Sequence, residues 1–366
     1  MPTVHRIHNF SAGPAMMPVP VLEEMQRDLV ALPGVGMSIL EISHRSKAFE
    51  SILSETEADI RALASVPSNY RVLFLQGGAS LQFSMVPMNF LASSATADYI
   101  DSGSWADKAI KEAAKVGTVN IAGSTKAERY GRLPSQSELK LTPGAAYVHM
   151  TSNNTIEGTE FKRLPDVGSA PLVSDTSSDM FSRPIDVSRH ALIYSGAQKN
   201  MGPAGVTIVI IRDDLVTRSA LRKASLPTML SYAVHAENKS LYNTPAVFAI
   251  YAVGLVMKWL GAQGGLAVIG KRNERKAAKL YLEIDRSGFY AGVARKEDRS
   301  LMNVTFRLRS EALEKLFVKE STAAGLDGLE GHRSVGGIRA SLYNAFPEEG
   351  VDGLVAFMKE FERRNG

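Results

Sequence analysis

Lys199 lies in Ser195-Gly-Ala-Gln-Lys-Asn-Met-Gly-Pro-Ala-Gly205, between the apolar runs Ala191–Tyr194 and Val206–Ile211. Small residues on both sides let backbone and ligand approach closely. A lysine partly withdrawn from water in such a loop can lose its proton and attack a carbonyl carbon as an amine. The ordinary alternative is a solvated loop lysine beside turn glycines. In Leu172-Val-Ser-Asp175-Thr-Ser-Ser178, Asp175 closes an apolar strand, at the end where open α/β sheets place ligand groups. A carboxylate buried there needs a cationic partner; an exposed one would be a turn or helix-cap aspartate. Leu75-Gln-Gly-Gly-Ala-Ser-Leu-Gln82 reads as a strand entering a glycine turn and then a helix, whose first N–H groups can take a phosphate. Two basic clusters, Ser43-His-Arg-Ser-Lys47 and Gly331-His-Arg-Ser-Val-Gly-Gly-Ile-Arg339, could bind phosphate or carboxylate through charge-assisted bonds, or could be solvated loops.

Other chemistries are poorly served. The chain has 366 residues and no cysteine, which removes zinc-thiolate sites, disulfides and thiol nucleophiles. Its seven histidines show no metal-ligand spacing. Gly265-Leu-Ala-Val-Ile-Gly-Lys-Arg272 has the glycine and lysine spacing of a phosphate-binding P-loop, but lacks the following Ser/Thr and reads as helix. A net charge of +4, with both signs interspersed as in Lys271–Arg275, Lys279, Glu283 and Asp285, reads as a solvated surface and not a nucleic-acid footprint. No apolar run approaches the roughly 20 residues of a membrane span. Met1–Gly13 lacks the apolar stretch of a secretory signal, and the expected location is the cytoplasm.

The elements that must hold these residues follow from periodicity. Strands are expected at 72–75, 97–100, 119–121, 147–150, 172–174, 192–194 and 206–211. Helices are expected at 21–32, 50–65, 81–91 and 105–116. Near-continuous apolar strands fit a largely parallel sheet covered on both faces. A helix from about Pro245 to Leu260 should stop at Gly261-Ala-Gln-Gly-Gly265, the best candidate domain boundary. Beyond it come a charged helix, strands at 302–308 and 337–342, and helices at 311–324 and 351–363, suggesting a smaller α/β unit.

Together these segments resemble the phosphoserine aminotransferases, class V members of the fold-type I pyridoxal-phosphate enzymes. The resemblance runs in order through Asn9-Phe-Ser-Ala-Gly-Pro14, residues 41–46, residues 76–83, Gly103-Ser-Trp105, residues 147–158, Ser174-Asp175, residues 196–200, Tyr242-Asn-Thr-Pro245 and residues 331–344. It implies a large α/β domain over 16–262, with a mainly parallel sheet flanked by helices, and a small α/β domain of 1–15 and 263–366. Lys199 would carry pyridoxal 5'-phosphate as a Schiff base and move the substrate's α-proton. Asp175 would pair with the pyridine nitrogen, Trp105 would stack on the ring, and Thr155 would contact the phenolic oxygen. Ala79 and Ser80 N–H groups and Gln198 would hold the cofactor phosphate, completed by Asn243 and Thr244 of a second subunit in a homodimer. Arg339 would clamp the substrate α-carboxylate. His44, Arg45, His332 and Arg333 would gather around the substrate phosphate or the side-chain carboxylate of glutamate.

The implied reaction is L-glutamate plus 3-phosphohydroxypyruvate giving 2-oxoglutarate and O-phospho-L-serine. It belongs to serine biosynthesis, with 4-phosphohydroxythreonine on the pyridoxine route as a further substrate. Many relatives have a glycine-richer phosphate loop, G-G-G-x-G-Q-F, where this chain has Ala79, Ser80 and Leu81. Binding through backbone N–H groups tolerates that change. An alanine–glyoxylate or serine–pyruvate type of aminotransferase is the nearest alternative, yet its small uncharged substrates need no such basic clusters. A non-catalytic α/β protein binding phosphate ligands would use the glycine turn and give Lys199 no role.

Overall fold

The computed structural model describes residues 6–366, so part of the leader and small-domain expectations, residues 1–5, falls outside the described residues. Among the described residues a seven-stranded sheet forms the centre of the chain. Its order is Tyr70–Leu75, Thr207–Arg212, Leu192–Gly196, Leu172–Asp175, Val148–Thr151, Thr96–Asp101 and Thr118–Ser124. Only Thr207–Arg212 runs antiparallel to its neighbours. The largely parallel expectation holds, each expected strand being present with ends shifted by up to three residues.

Continuous apolar strands arise because alternate side chains serve two cores. Leu73, Leu75, Val209, Ile211 and Tyr194 pack with Phe83, Phe90 and Ala109 of the helices Gly78–Phe90 and Ser104–Ala113. Val72, Phe74, Ile208, Ile210 and Ile193 pack with Phe49, Ile60, Ile250 and Val253 of the helices Lys47–Ala64 and Val247–Ala262. Each such aliphatic or aromatic burial contributes roughly 1.5–3 kcal/mol. Parallel strands end on the same edge, and the register sets Thr151 beside Asp175 and Asp175 beside Tyr194. The loops leaving that edge carry Gly77–Ser80, Gly103–Trp105, Asn153–Glu157, Asp175–Ser178 and Ala197–Lys199.

The glycine cluster after Ala262 does break the chain direction. Gly264 and Gly265 have φ of +96° and +76°, and the helix Gly265–Ser287 leaves at 83° to its predecessor. The P-loop look-alike at 265–272 is helical, as read. A third core joins Phe10 to Leu280, Ile284, Val304, Phe306, Phe317, Leu354 and Phe361. Its sheet, Ala291–Gly292, Asn303–Arg307 and Ile338–Ser341, is antiparallel throughout.

The charged stretch 271–285 is only partly solvated, contrary to expectation. Asn273, Lys276, Leu280 and Glu283 recur at helical spacing and turn inward. Lys276 Nζ donates to the carbonyls of Leu342, Tyr343 and Phe346 at 2.9, 2.7 and 3.1 Å. Arg286 pairs with Glu283 at 2.9 Å.

Candidate active site

The strand Leu192–Gly196 hands the chain to a turn at 197–200, and Thr207–Arg212 carries it back. Lys199 is therefore held at both ends by the central sheet. Its stem runs beside Gly13, where a Cβ would lie 3.4 Å from Lys199 Cγ, and Ala15 N–H donates to the Gln198 carbonyl at 2.9 Å. Lys199 Nζ donates to Thr155 Oγ1 at 2.8 Å and sits 5.9 Å from the centre of the Trp105 ring. Burial lowers its pKa to about 8 against the pull of Asp175, with Arg339 adding to the decrease. At neutral pH roughly a tenth of such an amine is unprotonated, several hundred times more than for an ordinary lysine.

Asp175 is 4% exposed at its strand end. Its Oδ1 accepts from Ser177 N–H at 2.9 Å, and its carbonyl accepts from Ser152 N–H and Oγ at 2.9 and 3.0 Å. Burial raises the Asp175 pKa. Asp175 thus faces the pocket in want of a positive partner, which Lys199 supplies in part.

At the opposite wall Gly77, with φ of +87°, turns the strand Tyr70–Leu75 into the helix Gly78–Phe90, which has no side-chain cap. The N–H groups of Gly78, Ala79 and Ser80 have no acceptor within the helix and line the pocket together with Gln198. Trp105 sits in the first turn of Ser104–Ala113. Glu157 Oε1 fixes that turn by accepting from Ser104 N–H at 2.8 Å and Ser104 Oγ at 2.5 Å. Gly103 must lack a side chain, since a Cβ would overlap Asn154 Oδ1 and come within 2.8 Å of Glu157 Oε2. Arg339, on Ile338–Ser341, donates from Nη1 to the Thr155 carbonyl at 3.3 Å and lines the adjoining cleft with Ser104, Arg129, Glu157 and Arg307. His332 bonds Ser334 Oγ through Nδ1 at 2.7 Å, and its pKa is lowered by burial and by Arg339, Lys108 and Arg333.

One chain therefore brings together Ala79, Ser80, Trp105, Thr155, Asp175, Gln198 and Lys199, with Arg339 alongside. It does not bring in six of the expected residues, His44, Arg45, Asn243, Thr244, His332 and Arg333, none of which lines the pocket or the adjoining cleft. His44 and Arg45 bond each other at 3.3 Å in the loop before Lys47–Ala64, and Thr244 accepts at its carbonyl from Gln76 Nε2 and Asn243 Nδ2, both at 3.2 Å. Arg333 is exposed. Thr151, Asn153, Ser177 and Ser178 also line the pocket, though only Ser177 and Ser178 were signalled, by the polar run after Asp175.

The set fits pyridoxal phosphate. Trp105 Nε1, Thr151 Oγ1 and Arg339 Nε are buried without partners among the described residues. Free helix N–H groups stand at one end of the pocket, a buried carboxylate at its floor, and a lysine with lowered pKa between them.

The model of the family "Aminotransferase class-V" matches residues 7–354. The chain belongs to the class-V aminotransferases. Within that family it is 54% identical to a phosphoserine aminotransferase of Desulfatibacillum aliphaticivorans, over 99% of both chains. The structure of the phosphoserine aminotransferase of Bacillus circulans subsp. alkalophilus matches with a TM-score of 0.96 at 51% identity, over 99% of both chains. The pyridoxal-phosphate-bound phosphoserine aminotransferase of Trichomonas vaginalis matches with a TM-score of 0.92 at 40% identity, covering 97% of this chain and all of that one.

Proposed function

We propose that this chain is a pyridoxal-phosphate-dependent phosphoserine transaminase in which Lys199 is the lysine that binds the cofactor and carries the proton. The observation that carries the reading is Lys199 Nζ, with its pKa lowered by burial, held by Thr155 in the pocket that also contains Asp175 and Trp105. Full-length relatives named phosphoserine aminotransferase support the substrate class. The amino group of L-glutamate is transferred to 3-phosphohydroxypyruvate, leaving 2-oxoglutarate and giving O-phospho-L-serine, in two half-reactions at one site.

Pyridoxal phosphate, when bound, supplies the carbonyl that exchanges for the amino group and a ring that withdraws electrons. Ala79 and Ser80 N–H groups and Gln198 would hold the phosphate, and Asp175 would keep a proton on the pyridine nitrogen. Trp105 would cover the ring and keep water from it. Arg339 would orient the substrate by its α-carboxylate, and Lys199 Nζ as the free amine would take the proton from the substrate α-carbon. His332 and Arg333, with His44 and Arg45, form the cationic pocket for phosphate or for the glutamate side chain. That cluster separates this reading from one based on small uncharged amino acids.

In this reading the chain acts as a cytoplasmic homodimer, and Asn243 and Thr244 serve the neighbouring subunit's phosphate site. Residues 16–262 form the large domain, and 1–15 with 263–366 the small one. The first turns of Gly265–Ser287 serve both, since Leu266 and Ile269 pack with the central core. The test is the visible spectrum of the purified protein titrated with O-phospho-L-serine. A yellow band converted by phosphoserine and poorly by alanine is expected. Equal conversion by alanine would overturn the substrate assignment, and no band after adding cofactor would overturn the whole reading.

A further inference from the structure

On the sheet face opposite the helices Gly78–Phe90 and Ser104–Ala113, the covering layer is incomplete. The core around Ile193 and Ile185 and the cluster of Met150, Leu172, Phe161 and Leu164 leave between them a cavity of about 400 Å³, the size of a small-molecule site. We propose that this cavity is a second binding site, for a small carboxylate with an apolar body.

The inner wall of the cavity is polar, with Ser152, Thr176, Asp179 and His190 lining it, and Ser174 lies behind His190. Ser174 lies in the middle of a central strand with no exposure, and its Oγ is 2.9 Å from His190 Nδ1. His190 is 1% exposed, lines the cavity, and has no partner at Nε2 among the described residues. Burial lowers its pKa to about 4, so the ring is neutral.

The rim supplies charge. Lys162 and Arg183 are already paired with Glu160, at 2.9 and 3.1 Å. Arg163 and Arg189, also at the cavity, have no carboxylate within ion-pair distance among the described residues. Phe161, Leu164 and Ile185 supply an apolar wall that inorganic phosphate would leave uncovered. Two carboxyl groups face the ligand from the protein. Asp179, on the inner wall, bonds Ser152, and burial and Glu160 raise its pKa to about 7; Asp186 accepts from Ser188. Both disfavour a ligand with a second negative charge. The cavity shares no lining residue with the cofactor pocket.

The test uses cofactor-loaded protein with saturating O-phospho-L-serine and benzoate as probe, followed by calorimetry and by saturation transfer to the benzoate protons. One benzoate per chain is expected. Binding should be about tenfold weaker in Arg163→Ala/Arg189→Ala, weaker to a lesser degree in each single variant, and unchanged in Arg339→Ala. Both arginines are exposed and unpaired, so circular dichroism of the variants should match the parent. No binding, binding indifferent to the two arginines, binding lost in Arg339→Ala, or displacement of benzoate by inorganic phosphate would each overturn the proposal. The result does not depend on turnover, so it is distinguishable from a failure of the transaminase reading.

Discussion

At the scale of single residues, the chemistry rests on how burial acts on a base and an acid that face each other. Desolvation disfavours charge on both, lowering Lys199 and raising Asp175, while their mutual attraction works the other way. The free amine is the reactive form, and its fraction grows as pH rises through the lowered pKa. The rate at which apoprotein takes up pyridoxal phosphate should therefore climb with pH and level off just above 8, whereas an ordinary lysine would still be gaining at 10. Stopped-flow absorbance across pH 6–10, roughly the range of titration, measures this. Lys199→Ala should lose about 100- to 10,000-fold or more in transamination of phosphoserine, with circular dichroism and the unfolding midpoint unchanged. A variant that kept full activity would remove Lys199 from the mechanism.

At the scale of elements, two contacts decide whether the site is held in place. Ser104 starts its helix on the Glu157 carboxylate, and the missing side chain of Gly103 lets Asn154 and Glu157 approach that turn. Gly103 itself is extended, so crowding and not backbone strain sets the cost of enlarging it. Gly103→Ala should cost about 1–3 kcal/mol and weaken cofactor retention by displacing Trp105. Urea unfolding with an unchanged slope, together with equilibrium dialysis of the cofactor, would show both effects. Lys276 anchors the turn after Ile338–Ser341, and Asn344 in that turn donates its N–H to Asn200 Oδ1 at 3.0 Å, next to Lys199. Lys276→Met leaves three buried carbonyls without their donor and should cost about 3 kcal/mol or more. Lys279→Met, which removes only surface pairs to Asp352 and Glu348, should cost less than about 1 kcal/mol in the same assay.

At the scale of the whole molecule, six expected site residues lie outside the pocket of their own chain, and for Asn243 and Thr244 a second subunit is the proposed reason. Sedimentation should then give twice the chain mass of 39.6 kDa. Mixing subunits carrying Lys199→Ala with subunits carrying Asn243→Ala should recover about a quarter of the parent activity, because half the dimers are mixed and each has one intact site. No recovery beyond either variant alone, or an active monomer, would sink the shared-site proposal.

Local pattern was enough for the parallel sheet, the glycine turn before Gly78, the strand end at Asp175 and the lysine loop. Strand period, turn residues and small-residue runs act over a few positions and are visible along the chain. The convergence of Thr155, Trp105 and Arg339 on Lys199 was inferred from resemblance alone, since no local pattern carries distances between residues 44 to 184 positions apart. The inward turn of Glu283 was misread, because a charged residue on a helix looks solvated until a neighbouring turn supplies its arginine. The buried polar pair of Ser174 and His190 beside the cavity was likewise decided only in three dimensions. Whether a buried strand position meets a helix or a gap depends on how two separate apolar clusters pack beside it.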